Sequence, residues 1–151
     1  MKVTRLVEGS RQIGFGVLAV SVFVLGSSVI GLASDSRFPV DQELLLDAAP
    51  MAPGKRMPSL TVAANGSAVI DLWCKSVTGR VELADAAIRI EPGALPDALP
   101  RWMSAGQCTP ARMQADEAVL AALSQVTTWR RQGQMLVLLG PTTLKFRPSD
   151  H

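Results

Sequence analysis

Asn65-Gly66 constrains this chain more than any other pair of residues. Before it, "SLTVAA" alternates, with Leu60, Val62 and Ala64 on one face. After it, the segment from Ser67 to Cys74 alternates again. Ala68, Ile70, Leu72 and Cys74 take one face, and Ser67, Val69, Asp71 and Trp73 take the other. Two residues that tolerate positive φ between two such runs predict a β-hairpin. A hairpin with one apolar face has a strongly specified register, because a slip of one residue would turn that face to water. The chain must therefore build an antiparallel sheet around this point and cover its apolar side.

The flanking sequence supplies the rest of the sheet and the cover. Residues 34–58 begin polar and include "APMAPGKRMP", which reads as extended, with "ELLLDA" as a short first strand. "GRVEL" and "AAIRIE" predict a second hairpin around Ala84-Asp85, with Val81, Leu83, Ile88 and Ile90 facing inward. Pro92, Pro96, Pro100 and Pro110 exclude a central strand or a long helix between Glu91 and Pro110. In that stretch Leu95, Leu99, Trp102 and Met103 are expected to dock on the sheet. "ARMQADEAVLAALSQV" predicts the main helix, with Met113, Val119, Ala122, Leu123 and Val126 on its apolar stripe. Asp116 and Glu117 read as charges on a solvated face that favour the early part of the helix dipole. "TTWRR", "QMLVLLG" and "TLKFRP" predict three closing strands, with turns at Gly133 and Gly140-Pro141. The fold class expected is α+β: a curved antiparallel β-sheet, a partial barrel, packed on one main α-helix.

The first 33 residues belong to a different category. Lys2, Arg5 and Arg11 precede 23 uncharged residues, Gln12 to Ser34. A basic start, an apolar run and a small-residue exit predict export, either by a long signal cleaved between Ala33 and Ser34 or by an uncleaved N-terminal anchor. Residues 34–151 are then placed on the non-cytoplasmic side, periplasmic or held at the inner membrane, with membrane contact only through the N-terminal segment. The organisation expected is a leader over 1–33, an extended linker with its first strand over 34–58, and a folded domain over 59–151.

Charge and chemistry narrow the function. The formal net charge of +2 comes from the leader, since residues 34–151 carry 12 basic and 12 acidic side chains. A nucleic-acid partner would need a basic face, so that class is excluded. His151 is the only histidine, and two cysteines with one terminal histidine do not make a zinc site. No cofactor motif appears, and no histidine is available to activate a nucleophile. Asp116 and Glu117 are adjacent on the helix and point apart, so they are poor partners for acid–base work; Asp71 beside the Cys74 strand is the other candidate. An even, small cysteine count in an exported chain favours the single available disulfide, Cys74–Cys108, tying the proline-rich loop to the sheet. Two inert reduced thiols, or a redox-active pair, are the alternatives. The surface most open to a partner would combine Trp73, Lys75 and the loop around Trp102, against the alternative that each tryptophan packs in or beside the core.

The residues resemble the META domain, also called the HslJ-like domain. Asn65-Gly66 stands at its turn, and Cys74 and Gly79 keep its five-residue spacing. Cys108 matches its second cysteine, and Glu117 and Leu123 match its helix. Trp129 takes its aromatic position, Gly133 its turn, and Leu136-Val137-Leu138 and Leu144-Lys145-Phe146 its last strands. The resemblance covers about Ser59 to Arg147. It departs from the family at Trp73 and Lys75, where the pattern has glycine and asparagine. The resemblance implies an exported, non-enzymatic domain of the cell envelope, associated with stress or drug tolerance, whose partner is an envelope protein or ligand. A thiol-redox or stress-sensing role for Cys74 and Cys108 is the alternative function, and an uncharacterised enzyme a further one.

Overall fold

The computed structural model describes residues 37–101 and 103–150. The leader, its Ala33/Ser34 exit and Trp102 lie outside the described residues. Eight strands follow in chain order: β1 (Glu43–Leu46), β2 (Ser59–Val62), β3 (Ser67–Asp71), β4 (Ser76–Ala84), β5 (Ala87–Pro92), β6 (Thr128–Gln132), β7 (Met135–Leu139) and β8 (Leu144–Pro148). Among the described residues one α-helix, α1 (Pro110–Ser124), lies between β5 and β6 in the chain, preceded by a 3₁₀ turn at Ala105–Gln107. Each strand pairs antiparallel with its sequence neighbour, and β1 also pairs with β8, so the sheet is a closed barrel.

Closure corrects the expected partial barrel. The cause is "ELLL", the short strand of the 34–58 segment, which pairs on both sides. Leu44 and Leu45 face Leu60 and Ser59 of β2, while Leu44, Leu45 and Leu46 face Pro148, Arg147 and Phe146 of β8. A four-residue strand with two partners removes both free edges of the sheet, the surest way to suppress edge-to-edge association. The weakest seam is β5–β6, with one paired position, Ala87↔Thr128. Two flanking bonds extend it, from Ile88 N–H to Thr127 O at 3.0 Å and from Trp129 N–H to Ala86 O at 2.9 Å. Helix α1 packs on β5 beside this seam.

The barrel interior is filled by alternate residues of the strands. Leu44, Leu46, Leu60, Val62, Ala68, Ile70, Val77, Val81, Ile88, Ile90, Leu136, Leu138, Leu144 and Phe146 form one buried cluster with Leu120, Ala122 and Leu123 of α1. Phe38, upstream of β1, meets Trp129 edge-to-face at 5.3 Å, which ties the entering chain to β6. The outward positions of β4, β5, β6 and β8 include Arg80, Glu82, Arg89, Glu91, Arg130, Lys145 and Arg147. An apolar interior with a charged outer wall is the reverse of a lipid-spanning barrel.

Two details differ from the expected pattern. Leu83 is 40% exposed, because it sits near the tip of the long β4–β5 hairpin, where β5 has almost no β6 to pair with. The Asn65-Gly66 hairpin uses a three-residue loop closed by a bond from Ala63 N–H to Ser67 O, and only Gly66 has positive φ, +82°. Asn65 instead accepts from Ser67 N–H at 2.9 Å through its side chain. This is a turn followed by a glycine bulge, the usual three-residue solution.

Gly66 has two reasons to be glycine: its φ, and a Cβ that would lie 2.8 Å from the Val81 carbonyl oxygen. Gly133 has only the first, with φ +61° and open space around it. Gly133→Ala is expected to cost about 1 kcal/mol, and Gly66→Ala about two to three times that. Urea denaturation of the two variants checks this, and equal losses would show that the Val81 contact is not limiting.

Candidate functional site

The site begins where β3 stops. Leu72 N–H donates to Lys75 O at 2.8 Å, so residues 72–75 form a tight connection into β4. The bend turns three successive backbone N–H groups toward α1, where they meet the carboxylate of Asp116. Trp73 N–H donates to Oδ1 at 2.9 Å; Cys74 and Lys75 N–H donate to Oδ2 at 3.0 and 3.2 Å. Successive N–H groups of this kind make an anion-binding concavity, here filled by a side chain of the same protein. Asp116 is 1% exposed. Burial pushes its carboxyl above the ordinary value of 3.8, against the pull of the Cys74, Trp73 and Lys75 N–H groups and the Lys75 ammonium.

The expectation of a solvated Asp116 is therefore corrected, whereas Glu117 is exposed as expected. The buried residues of α1 are Arg112, Asp116, Leu120, Ala122 and Leu123, with Val119 half-buried; Ala122 and Leu123 are buried as expected, whereas Met113, placed on the apolar stripe by the sequence, is 39% exposed. The signal was present, since 112, 116, 120 and 123 share one helical face. Two of its four members are charged, so a hydrophobicity pattern does not select it.

The cysteines meet at the same place. Cys74 and Cys108 form a disulfide with Cα atoms 5.4 Å apart, closing a separation of 34 residues. Cys108 directly precedes Thr109, which caps α1 by accepting from Arg112 N–H at 3.3 Å, and Pro110 opens the helix. The 72–75 bend is thus fixed to α1 twice, through the cystine before its cap and through Asp116 in its second turn. Met103 and half-buried Leu99 of the proline-rich loop pack on the cystine, and Leu95 packs on the main core.

Of the expected partner surface, Trp73 and Lys75 lie among the described residues. Trp73 is 4% exposed and belongs to the core, because the strand ends at Asp71 and the bend reverses the alternation that would have put the indole outside. Lys75 is half-buried, and its ammonium donates to Pro96 O at 2.5 Å, holding the proline-rich loop. Trp102 lies outside the described residues. Asp71 accepts from Ser76 Oγ and pairs with Arg56 at 3.2 Å, so it joins the bend to the 50s loop. Among the described residues no group of three His, Cys, Asp or Glu side chains could hold a metal ion.

A second charged group, Arg112, lies one helical turn before Asp116 and is 2% exposed. Its Nη1 donates to Gln107 O at 2.6 Å. Arg112 lines a cavity of about 260 Å³ together with Pro53–Arg56, Met103 and Gln107.

Comparison with known proteins places this arrangement. The family model described as the META domain matches residues 42–150. A solved NMR structure of a protein from Burkholderia xenovorans is similar in fold, with a TM-score of 0.53 and 22% identity, over 74% of this chain and 84% of that one. No curated protein matches the sequence.

Three expectations follow from the bend. Asp116→Ala strips the acceptor from three N–H groups, two of them buried, and should cost about 2–4 kcal/mol. An unfolded chain ionises this acid at lower pH than the folded one, so the stability carried by Asp116 is greatest below pH 3.8. It falls as pH rises through the raised value and is flat above it. Urea melts from about pH 3 to about pH 7 should show that slope in the wild type and not in Asp116→Ala. Replacing both cysteines by serine should cost roughly 4 kcal/mol if loop closure dominates, and a loss below about 1 kcal/mol would assign the restraint to Asp116 alone.

Proposed function

Because the chain belongs to the META domain family, we propose that it is a non-catalytic, exported domain of the cell envelope. It acts there as a structural or binding module with a role in envelope stress or drug tolerance. The observation that carries this reading is the Cys74–Cys108 bond, which pins the proline-rich loop to the barrel. Such bonds persist in oxidising compartments and are rare in the cytosol. The basic, apolar N-terminal segment agrees with the same compartment.

The acids support a non-catalytic role. Asp116 has both oxygens occupied by backbone N–H groups, and Asp71 is held by Arg56 and Ser76. Neither is placed to move a substrate proton. Cys74 is 0% and Cys108 6% exposed, which argues against a pair that cycles with a redox partner. The proposal also gives Lys75 a structural duty in place of partner contact, because its ammonium is spent on Pro96 O.

The test is the intact mass of the protein recovered from the envelope fraction of its own cell, alkylated with and without prior reduction. The reading expects a chain starting at Ser34, or a full-length anchored chain, with two thiols labelled only after reduction. Recovery in the cytosol with two free thiols would overturn it.

A further inference from the structure

Arg112 is a buried cation whose hydrogen bonding is incomplete. Nη1 is satisfied by Gln107 O, whereas Nε and Nη2 have no partner among the described residues. Those two nitrogens bound the same edge of the planar guanidinium. That edge is the fork that grips two oxygens of one oxyanion side by side. Leaving charged donors unmet in a buried setting is costly. The acid nearest in sequence on the same helical face, Asp116, is already occupied by the 73–75 N–H groups. No carboxylate of the described residues forms an ion pair with Arg112.

The surroundings have the matching charge. The cavity beside Arg112 is walled by Pro53, Gly54, Lys55, Arg56, Met103 and Gln107, and no acidic residue among the described ones lines it. Arg56 is paired with Asp71. Lys55 is exposed at the rim and makes no ion pair among the described residues. Two lining cations, Arg112 and Lys55, thus lack an acid. The volume, about 260 Å³, is many times the ~30 Å³ share of one water molecule, enough for a small polyatomic anion and its hydration.

We propose that this cavity is a binding site for a small phosphate-like oxyanion, with two of its oxygens on Nε and Nη2 of Arg112 and its remaining charge balanced by Lys55. Gln107 O acts as the positioning group, holding Nη1 so that the fork faces the ligand. The fork has almost no solvent contact, so entry requires the exposed 52–55 segment to move aside. Arg56 tethers one end of the 50s loop to Asp71, and Pro53–Lys55 is exposed and belongs to no strand or helix, so it is the wall that the proposal displaces. The inference names a ligand class for the binding module proposed above and rests on that reading only for its cellular setting. Anion affinity is measurable wherever the protein resides, so the two fail separately.

The test is a titration of the ¹⁵N-labelled full chain at low ionic strength, following the Arg112 Nε–H resonance. The probes are inorganic phosphate, glycerol 3-phosphate, acetate and sodium chloride. The proposal expects a saturable shift with phosphate, weaker with acetate and absent with chloride at equal ionic strength. A response to glycerol 3-phosphate at least equal to that of phosphate would identify the group as a phosphate ester, and the reverse order would identify the free anion. Arg112→Lys keeps the charge and loses the fork, and should weaken binding at least about tenfold. Lys55→Ala should weaken it a few-fold and, being at the surface, leaves the fold intact even if the Arg112 variant does not fold. No shift of Nε–H with phosphate, an equal shift with chloride, or unchanged affinity in Lys55→Ala would each overturn the proposal.

Discussion

The carboxylate of Asp116 is the point on which the rest of this structure depends. It accepts from three consecutive N–H groups of the 72–75 bend, two of them buried, at the point where one strand ladder has ended and the next has not begun. Backbone donors left unpaired in that position would cost several kcal/mol together. The same contact fixes the height and rotation of α1 against the barrel, since the acceptor is a short side chain and the donors belong to rigid backbone. The cystine complements this contact by positioning the segment that enters the helix, whereas Asp116 orients the helix itself. Together they let a proline-rich connection run between β5 and α1 with no regular structure beyond the 3₁₀ turn at Ala105–Gln107.

Closure of the sheet solves a different problem. The strands are short, four to nine residues, and an open sheet of such strands would carry two edges and lose a large share of its pairing. Pairing β1 with β8 makes the barrel continuous, and its thinnest join, β5–β6, is the place where the chain departs to make α1. The helix thus stands next to the seam that its own insertion shortens. Leu120, Ala122 and Leu123 join the barrel core there, so helix and barrel share one hydrophobic interior.

How much of this was legible in the sequence depends on the period that each element obeys. Strands β2 and β3 announce themselves by strict alternation around Asn65-Gly66, and Leu60, Val62, Ala68 and Ile70 are all buried. The alternation fails at Trp73 because the strand has stopped two residues earlier, and a pattern of period two carries no mark of where it ends. Closure was hidden for another reason. "ELLL" is visible as a strand, but nothing local says that it has a partner on each side; that depends on β8, about a hundred residues away. The candidate site was the least legible part. Arg112 and Asp116 occupy core phases of α1, yet a search for apolar periodicity steps past charged residues and settles on Met113.

Those two residues show the two ways in which a small barrel can keep an ion inside. Asp116 is matched entirely within the chain, by N–H groups that no substitution at 73–75 other than proline would remove. It therefore tolerates Trp73 and Lys75, where the resemblance placed glycine and asparagine, since the contact uses only their backbone. Arg112 is matched by half: Gln107 O takes one nitrogen, the Nε/Nη2 edge is buried without a partner among the described residues, and the residue lines a cavity that also holds Lys55 and Arg56. If burial alone were being optimised, an apolar residue at 112 would pack on Met103 without the cost of desolvating a guanidinium. A charge held at that position, four residues from an acid that does not neutralise it, makes physical sense when its counter-ion comes from outside the chain.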